Sequence, residues 1–267
     1  MQDYFLKERG IAYRTNSFID GRKTILFVHG LSGSLSAWYP YEKIFENKHN
    51  LITLDLRGHG LSKKYARYED YALQYFADDV SALVEHLNIR NCSLVAHSLG
   101  TTVALLFLLK NAPVVDSVVF LAPDYKVHTL LRTRLTHPLL AIGTSLMRLI
   151  PFSQKKGHRL DYSNFGYSPD WSLKRIVPEI RDMGVRLYCY CLQQIYESTE
   201  DYLWKKISLP VLILHGTHDS FVPFTHSVTL QKEMQHARLV AIEGANHMLV
   251  LNNVKEVADE IEKFMRE

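Results

Sequence analysis

The sequence has few cysteines, little net charge and no secretion signal. Its three cysteines, Cys92, Cys189 and Cys191, match neither a disulfide framework nor the spacing of a zinc site. A formal charge of +3 over 267 residues gives no support for nucleic-acid binding. The first residues lack a basic segment followed by an apolar one. We therefore expect a cytoplasmic protein with reduced thiols that does not bind nucleic acid.

One strongly apolar stretch, residues 130–150, does not have the composition of a membrane span. It contains Arg132, Arg134, Pro138 and Arg148, and charged side chains are costly inside a bilayer. We expect no stable membrane insertion. Two interpretations of this stretch stay open: packing within the fold, and contact with a lipid surface.

Apolar runs alternate with helical patterns along most of the chain, which has 47% hydrophobic and 22% charged residues. Continuous apolar runs are typical of strands covered on both faces. Strands are indicated at 24–28, 51–55, 92–97, 115–121, 210–215 and 237–242, a hairpin or a pair of edge strands at 4–9 and 11–16, and helices at 38–47, 71–87, 102–110 and 254–265. This order predicts an α/β fold with a mainly parallel, doubly wound sheet of about eight strands.

One segment interrupts the alternation. Residues 124–206 contain no credible buried strand, and they are too many for a connecting loop. Helices are indicated around residues 171–182 and 185–197. We therefore expect a helical cap at 124–206, inserted after the sixth strand, and a core formed by 1–123 and 207–267.

Ser98 lies where an apolar strand pattern meets a helical one. The residues two positions before and after it are Ala96 and Gly100. A sharp strand-to-helix turn that presents a nucleophile needs small side chains at both places. Alanine at the first place adds a methyl group, which a small shift of a neighbouring element should accommodate. We expect the turn to form, with a positive φ at Ser98.

Other loops that follow predicted strands also carry groups suited to catalysis. These loops should converge, because ligands bind outside the carboxyl ends of parallel strands. A serine nucleophile needs a base, and the base needs an acid that orients it. Ser98, Asp219 and His247 supply these roles in the chain order Ser, Asp, His. Asp124 also follows a strand and stays open as the alternative acid.

With these motifs together, the chain resembles the α/β-hydrolase superfamily, specifically its capped esterase-like and lipase-like serine hydrolases. The resemblance rests on His29-Gly30 and on residues 55–62, 96–100, 216–223 and 244–247. It implies Ser98 as nucleophile, His247 as base and Asp219 as orienting acid. It also implies an oxyanion hole formed by the backbone N–H groups of Leu31 and Leu99.

The sequence therefore predicts a carboxylesterase-like serine hydrolase that acts on small-molecule esters with short to medium acyl chains and requires no metal or cofactor. Trp38, Phe221 and Met248 are expected to line the substrate pocket. Activity should rise through about pH 6 to 7 as the imidazole loses its proton. Hydrolysis of C–C or amide bonds, acyl transfer, and ligand reception without turnover stay open, as does the oligomeric state.

Overall fold

A single sheet forms the centre of the computed structural model, which describes residues 1–150, 155–199 and 201–267. Its strands are β1 (Gln2–Leu6), β2 (Ile11–Thr15), β3 (Thr24–Val28), β4 (Asn50–Leu54), β5 (Cys92–His97), β6 (Val115–Leu121), β7 (Val211–Gly216) and β8 (Ala237–Ile242). They lie in the order β1-β2-β4-β3-β5-β6-β7-β8. The pairs β1/β2 and β2/β4 are antiparallel and the other pairs are parallel. The predicted α/β fold with a mainly parallel sheet is confirmed.

Helices cover both faces of this sheet. In the described ranges they are α1 (Tyr39–Phe45), α2 (Leu73–His86), α3 (Leu99–Asn111), α4 (Leu131–Met147), α5 (Leu173–Met183), α6 (Val185–Glu197), α7 (Phe224–Glu233), α8 (Leu249–Asn252) and α9 (Val254–Arg266). Phe76 and Val103, from α2 and α3, pack into the core on one face. Phe45 and Ile261, from α1 and α9, pack into the core on the other. This two-sided cover explains why β3, β4 and β5 are buried along their whole length.

Some boundaries differ from the sequence pattern. The pattern predicts a strand over residues 4–9, whereas β1 ends at Leu6 because residues 7–10 form a turn in which Gly10 has a φ of 64°. The patterns at 38–47 and 71–87 each predict one helix. Both α1 and α2 are instead preceded by a short 3-10 helix, at Leu35–Trp38 and Tyr68–Tyr71.

Residues 124–206, which we call the β6–β7 segment, contain α4, α5 and α6 together with short 3-10 helices. No strand occurs in the described part of this segment. Helix α4 packs against α6, and α6 packs against α5. The division of the chain into a core and a cap stays a prediction.

Candidate active site

Ser98 occupies the turn between β5 and α3 with a φ of 51°. Its backbone is therefore in the left-handed region, as the elbow pattern predicts. Glycine is required at position 100, because a Cβ there would lie 2.6 Å from two carbonyl oxygens at the end of β3. Ala96 is fully buried, and its pairing with both neighbouring strands is unbroken. The extra methyl group thus fits within a regular part of the sheet.

Ser98, His247 and Asp219 form one chain of hydrogen bonds. Ser98 Oγ lies 2.9 Å from Nε2 of His247, and Nδ1 of His247 lies 2.7 Å from Oδ2 of Asp219. An ionised carboxylate can only accept, so Nδ1 carries the proton and donates it to Asp219. Nε2 is then free to accept from the serine hydroxyl. The structure thus brings together the three residues that the sequence singles out.

Asp219 is held as a carboxylate by several donors. Its Oδ1 accepts from the backbone N–H groups of Phe221 and Val222, at 2.7 and 2.8 Å. Its Oδ2 also accepts from Nε2 of His215 at 3.0 Å. Burial raises the pKa of Asp219, but the charge of His247 and the hydrogen bonds from both histidines outweigh it. The net pKa lies far below the usual range, so this carboxyl group is ionised at neutral pH.

His247 has a pKa above the ordinary value of 6.5. Burial lowers this pKa, while the charge of Asp219 and its hydrogen bond raise it by more. Asp124 and Asp170 raise it further through their charges. The surrounding carboxylates therefore stabilise the imidazolium that would form when His247 takes a proton.

Asp124, the alternative acid, lies beside the serine. Its Oδ1 is 3.5 Å from Oγ of Ser98, and its backbone N–H donates to Oγ1 of Thr101 at 3.2 Å. Among the described residues, no group hydrogen-bonds its buried Oδ2. Burial raises the pKa of Asp124 to about 7, against the opposing effects of His247 and Ser98. Asp124 thus borders the serine, while Asp219 makes the hydrogen bond to Nδ1.

Asp170, in the β6–β7 segment, supports the site in a way that the sequence does not indicate. Its Oδ1 accepts from the backbone N–H of His247 at 2.9 Å. Its Oδ2 accepts from the N–H and hydroxyl of Ser220 at 2.9 and 2.8 Å. One buried carboxylate therefore joins the loop of the histidine to the loop of the acid. No local motif could reveal it, because these partners are 77 and 50 residues away in sequence.

The loop after β3 approaches the serine closely. A Cβ at Gly30 would lie 3.1 Å from Cβ of Ser98, so glycine allows this approach. His29 fixes the loop, since its Nδ1 donates to the carbonyl of Gly30 at 2.8 Å and its Nε2 accepts from the N–H of Leu56 at 3.0 Å. Burial lowers the pKa of His29 to about 4, so it is neutral. Leu31, the first predicted oxyanion-hole residue, follows directly, and Leu99, the second, begins α3.

Comparison with known proteins identifies the family. The sequence pattern described as the alpha/beta hydrolase fold matches residues 23–254. The chain belongs to this family. The (E)-2-((N-methylformamido)methylene)succinate hydrolase of Acinetobacter baylyi is 23% identical to this alpha/beta hydrolase over 253 residues, which cover 90% of this chain and 89% of the relative. Epoxide hydrolase 3 of Xenopus tropicalis is 24% identical to this chain over an alignment of 291 residues, which covers 98% of this chain and 77% of the relative.

A solved structure shows the same fold. An esterase from Exiguobacterium antarcticum matches this alpha/beta hydrolase with a TM-score of 0.71 at 18% identity, over 96% of each chain. The family and these relatives support a hydrolase. The relatives are named for different substrates, so membership of the family does not specify which bond this hydrolase cleaves.

A small apolar cluster lies beside Ser98 and His247 of this alpha/beta hydrolase. It contains Leu99, Val127, Ile195 and Val222, with Leu31, Leu73, Leu130, Tyr196 and Phe221 packed against them. Both the sheet loops and the β6–β7 segment contribute to it. The ring of Phe221 meets the ring of His247 edge to face, with centroids 5.1 Å apart.

The other two predicted pocket residues lie in the core. Trp38 is fully buried, with its ring 5.0 Å from that of Phe27 and 5.3 Å from that of Tyr41. The short 3-10 helix after the β3 loop directs it against the sheet, so the prediction that Trp38 lines the pocket does not fit its position. Met248 is also buried in this core cluster. Of the three, Phe221 contacts His247 through its ring.

Proposed function

We propose that this chain is a serine hydrolase that cleaves carboxylic esters through a Ser98-His247-Asp219 triad. The observation that carries the proposal is the hydrogen-bond chain of 2.9 and 2.7 Å that starts at a serine with a φ of 51°. A serine hydroxyl becomes an effective nucleophile when a neighbouring imidazole can take its proton as the new bond forms.

In the acylation half of the reaction, Oγ of Ser98 attacks the ester carbonyl carbon while its proton passes to Nε2 of His247. The carbonyl π electrons move to the oxygen, which the N–H groups of Leu31 and Leu99 stabilise as an oxyanion. When the intermediate collapses, the C–O bond to the alcohol breaks and the alcohol oxygen takes the proton from Nε2. An acyl-Ser98 ester remains.

In the deacylation half, water attacks the acyl carbon and gives a proton to Nε2. Collapse of this second intermediate breaks the bond to Oγ and releases the carboxylic acid. Ser98 recovers the proton from His247. Asp219 stays ionised throughout, because its pKa lies far below neutrality, and it stabilises the transient imidazolium.

The proposed substrates are esters with short to medium acyl chains, and residues 124–206 form a cap over a core made by 1–123 and 207–267. The apolar cluster beside His247 supports both ideas, since it combines side chains from the sheet loops with Val127, Leu130 and Ile195 of the β6–β7 segment. Apolar walls with a few polar groups are typical of small-molecule sites.

Turnover of a chain-length series of activated esters tests this function. Ser98→Ala should lower kcat by about 10⁴-fold or more, because the nucleophile is lost. Ser17→Ala, at an exposed serine of the N-terminal loop, is the control and should match the wild type. Equal rates for Ser98→Ala and wild type would refute the nucleophile. Labelling of Ser98 without product release would favour a ligand receptor.

A further inference from the structure

Helix α4 turns its apolar side outward. Large apolar side chains recur along it every three or four residues: Leu131, Leu135, Leu139, Ile142 and Leu146, a set that we call the α4 face. They are 59% to 72% exposed. At about 100° per residue they fall within an arc of about 80°. Leu149 and Ile150, just beyond the helix, are exposed as well.

The two most buried side chains of α4 are polar and lie on its opposite side. Thr133 and Thr144 are almost completely buried there, whereas a surface helix usually buries its apolar stripe. Contacts fix this orientation: the hydroxyl of Tyr68 donates to the carbonyl of Thr144 at 3.4 Å, and Nε2 of His137 lies 3.0 Å from Oε1 of Glu197. A contiguous exposed apolar surface of this kind marks an interaction site.

The charged residues in and near α4 indicate what kind of partner the α4 face binds. Residues 125–160 contain no Asp or Glu. Arg134 in α4 and Arg148 directly after it are exposed cations, and Nη1 of Arg148 also lies 3.4 Å from Oε1 of Glu69. Two copies of the chain joined through this surface would bring like charges together, which disfavours a self-associated pair. An apolar stripe on a helix that carries arginines and no acidic residue suits an anionic lipid surface.

The α4 face begins close to the proposed triad. Trp171 is 64% exposed, and its ring packs edge to face on that of Phe221 at 4.6 Å. Its Nε1 donates to the hydroxyl of Ser220 at 3.0 Å, and Arg132 of α4 donates to the carbonyl of the same serine. An exposed tryptophan and the first turn of α4 thus meet one residue after Asp219. Tryptophan is enriched where proteins meet the membrane interface.

We propose that the α4 face and Trp171 dock on anionic lipid surfaces, so that the esters hydrolysed include those held in membranes or lipid aggregates. The substrate part rests on the proposed function, whereas the docking does not. Among the described residues, no helix is long and apolar enough to cross a membrane. A helix with one exposed apolar face, such as α4, suits docking in the plane of the lipid surface.

Tryptophan fluorescence gives a direct test with the full chain. Of the three tryptophans, Trp38 and Trp204 are buried, so a shift in emission on binding reports Trp171. Vesicles of phosphatidylcholine with phosphatidylglycerol should shift the emission to the blue and sediment the protein. Vesicles of phosphatidylcholine alone, or added salt, should weaken binding at least tenfold. Absence of binding to both kinds of vesicle would overturn the proposal.

The combined variant Leu135→Gln, Leu139→Gln and Ile142→Gln tests whether the α4 face is the surface that binds lipid. It should lower vesicle affinity at least tenfold, because three apolar anchors are lost, while turnover of a soluble short-chain ester stays within about twofold. Phe18→Gln with Ile19→Gln, at two partly exposed apolar residues of the N-terminal loop, is the control and should bind as the wild type does. Unchanged vesicle binding by the triple variant would refute the α4 face as the docking surface.

Two further outcomes are distinguishable. Self-association of the wild type that the triple variant abolishes, with no vesicle binding, would make a second copy the occupant and overturn the lipid proposal. Vesicle binding without turnover of any ester would refute the proposed function and leave the docking in place.

Discussion

Oδ1 of Asp124 lies 3.5 Å from Oγ of Ser98, so it is next to the proposed nucleophile and not to the proposed base, His247. Nδ1 of His247 donates its hydrogen bond instead to Oδ2 of Asp219, at 2.7 Å. Two carboxyl groups therefore meet different members of one hydrogen-bond chain. The pKa values of the two groups also differ, because burial raises the pKa of Asp124 to about 7, whereas the pKa of Asp219 is strongly lowered.

The two aspartates should respond differently to the same substitution. Asp219→Asn should lower kcat by about 10⁴-fold, because an amide neither fixes the tautomer of His247 nor stabilises its imidazolium. Asp124→Asn should stay within about tenfold of wild type, since it leaves the hydrogen bonds of His247 in place. Both are measured as kcat on one soluble ester. The reverse order of effects would make Asp124 the acid.

The pH dependence of the wild type follows from the raised pKa of His247. A protonated imidazole cannot accept the proton of Ser98, so activity is lost as pH falls below this pKa. The acid limb of kcat/KM should therefore have its midpoint above 6.5, the upper part of the range that the sequence alone suggests. Initial rates between about pH 5 and 9 measure it. A midpoint below 6.5 would contradict the electrostatic description.

Asp170→Asn tests the link between the β6–β7 segment and the histidine loop. Removing this negative charge should move the acid midpoint of kcat/KM downward, because the charge helps to raise the pKa of His247. We also expect kcat to fall about tenfold as the loop loses a charged hydrogen-bond partner. Asp182→Asn, in the same segment, is the control, because Asp182 bonds to His158 instead. A loss of thermal stability with an unmoved midpoint would show a merely structural role.

Two glycine substitutions form a matched pair. Gly100→Ala should destabilise the fold by about 1 to 3 kcal/mol and lower activity, because its Cβ would lie 2.6 Å from backbone oxygens. Gly143→Ala, in α4, meets no atom within 4 Å and should stabilise the fold by about 0.5 to 1 kcal/mol. Chemical denaturation measures both. Equal stability of the two variants would refute the close approach at the elbow.

The sequence predicted most of the sheet because its strands are covered on both faces and therefore appear as continuous apolar runs. The turn at position 98 could also be predicted from the sequence, since it requires small neighbours on both sides. Such signals are local: each depends on residues within a few positions of one another. The positive φ of Ser98 followed from the same local requirement.

Packing between residues far apart in sequence could not be predicted. Trp38 lies close in sequence to the β3 loop, which suggested that it lines the pocket. Its ring instead packs on Phe27 in the core. Asp170 has no motif, since its partners come from two distant loops. The sequence left open whether residues 130–150 pack within the fold or contact lipid, because the burial of Thr133 and Thr144 depends on tertiary contacts.

The bonds of Asp170 bear on how this fold can be recombined. A β6–β7 segment taken from a relative would bring its own surface and its own apolar side chains, but it would also remove the carboxylate that holds the N–H of His247 and the loop after Asp219. Chimeras that restore an acid at this place should keep an aligned base. Chimeras without this acid should bind new substrates but hold His247 in a poor position. A chimera can therefore gain a new specificity and keep its turnover rate only if it keeps an acid at position 170.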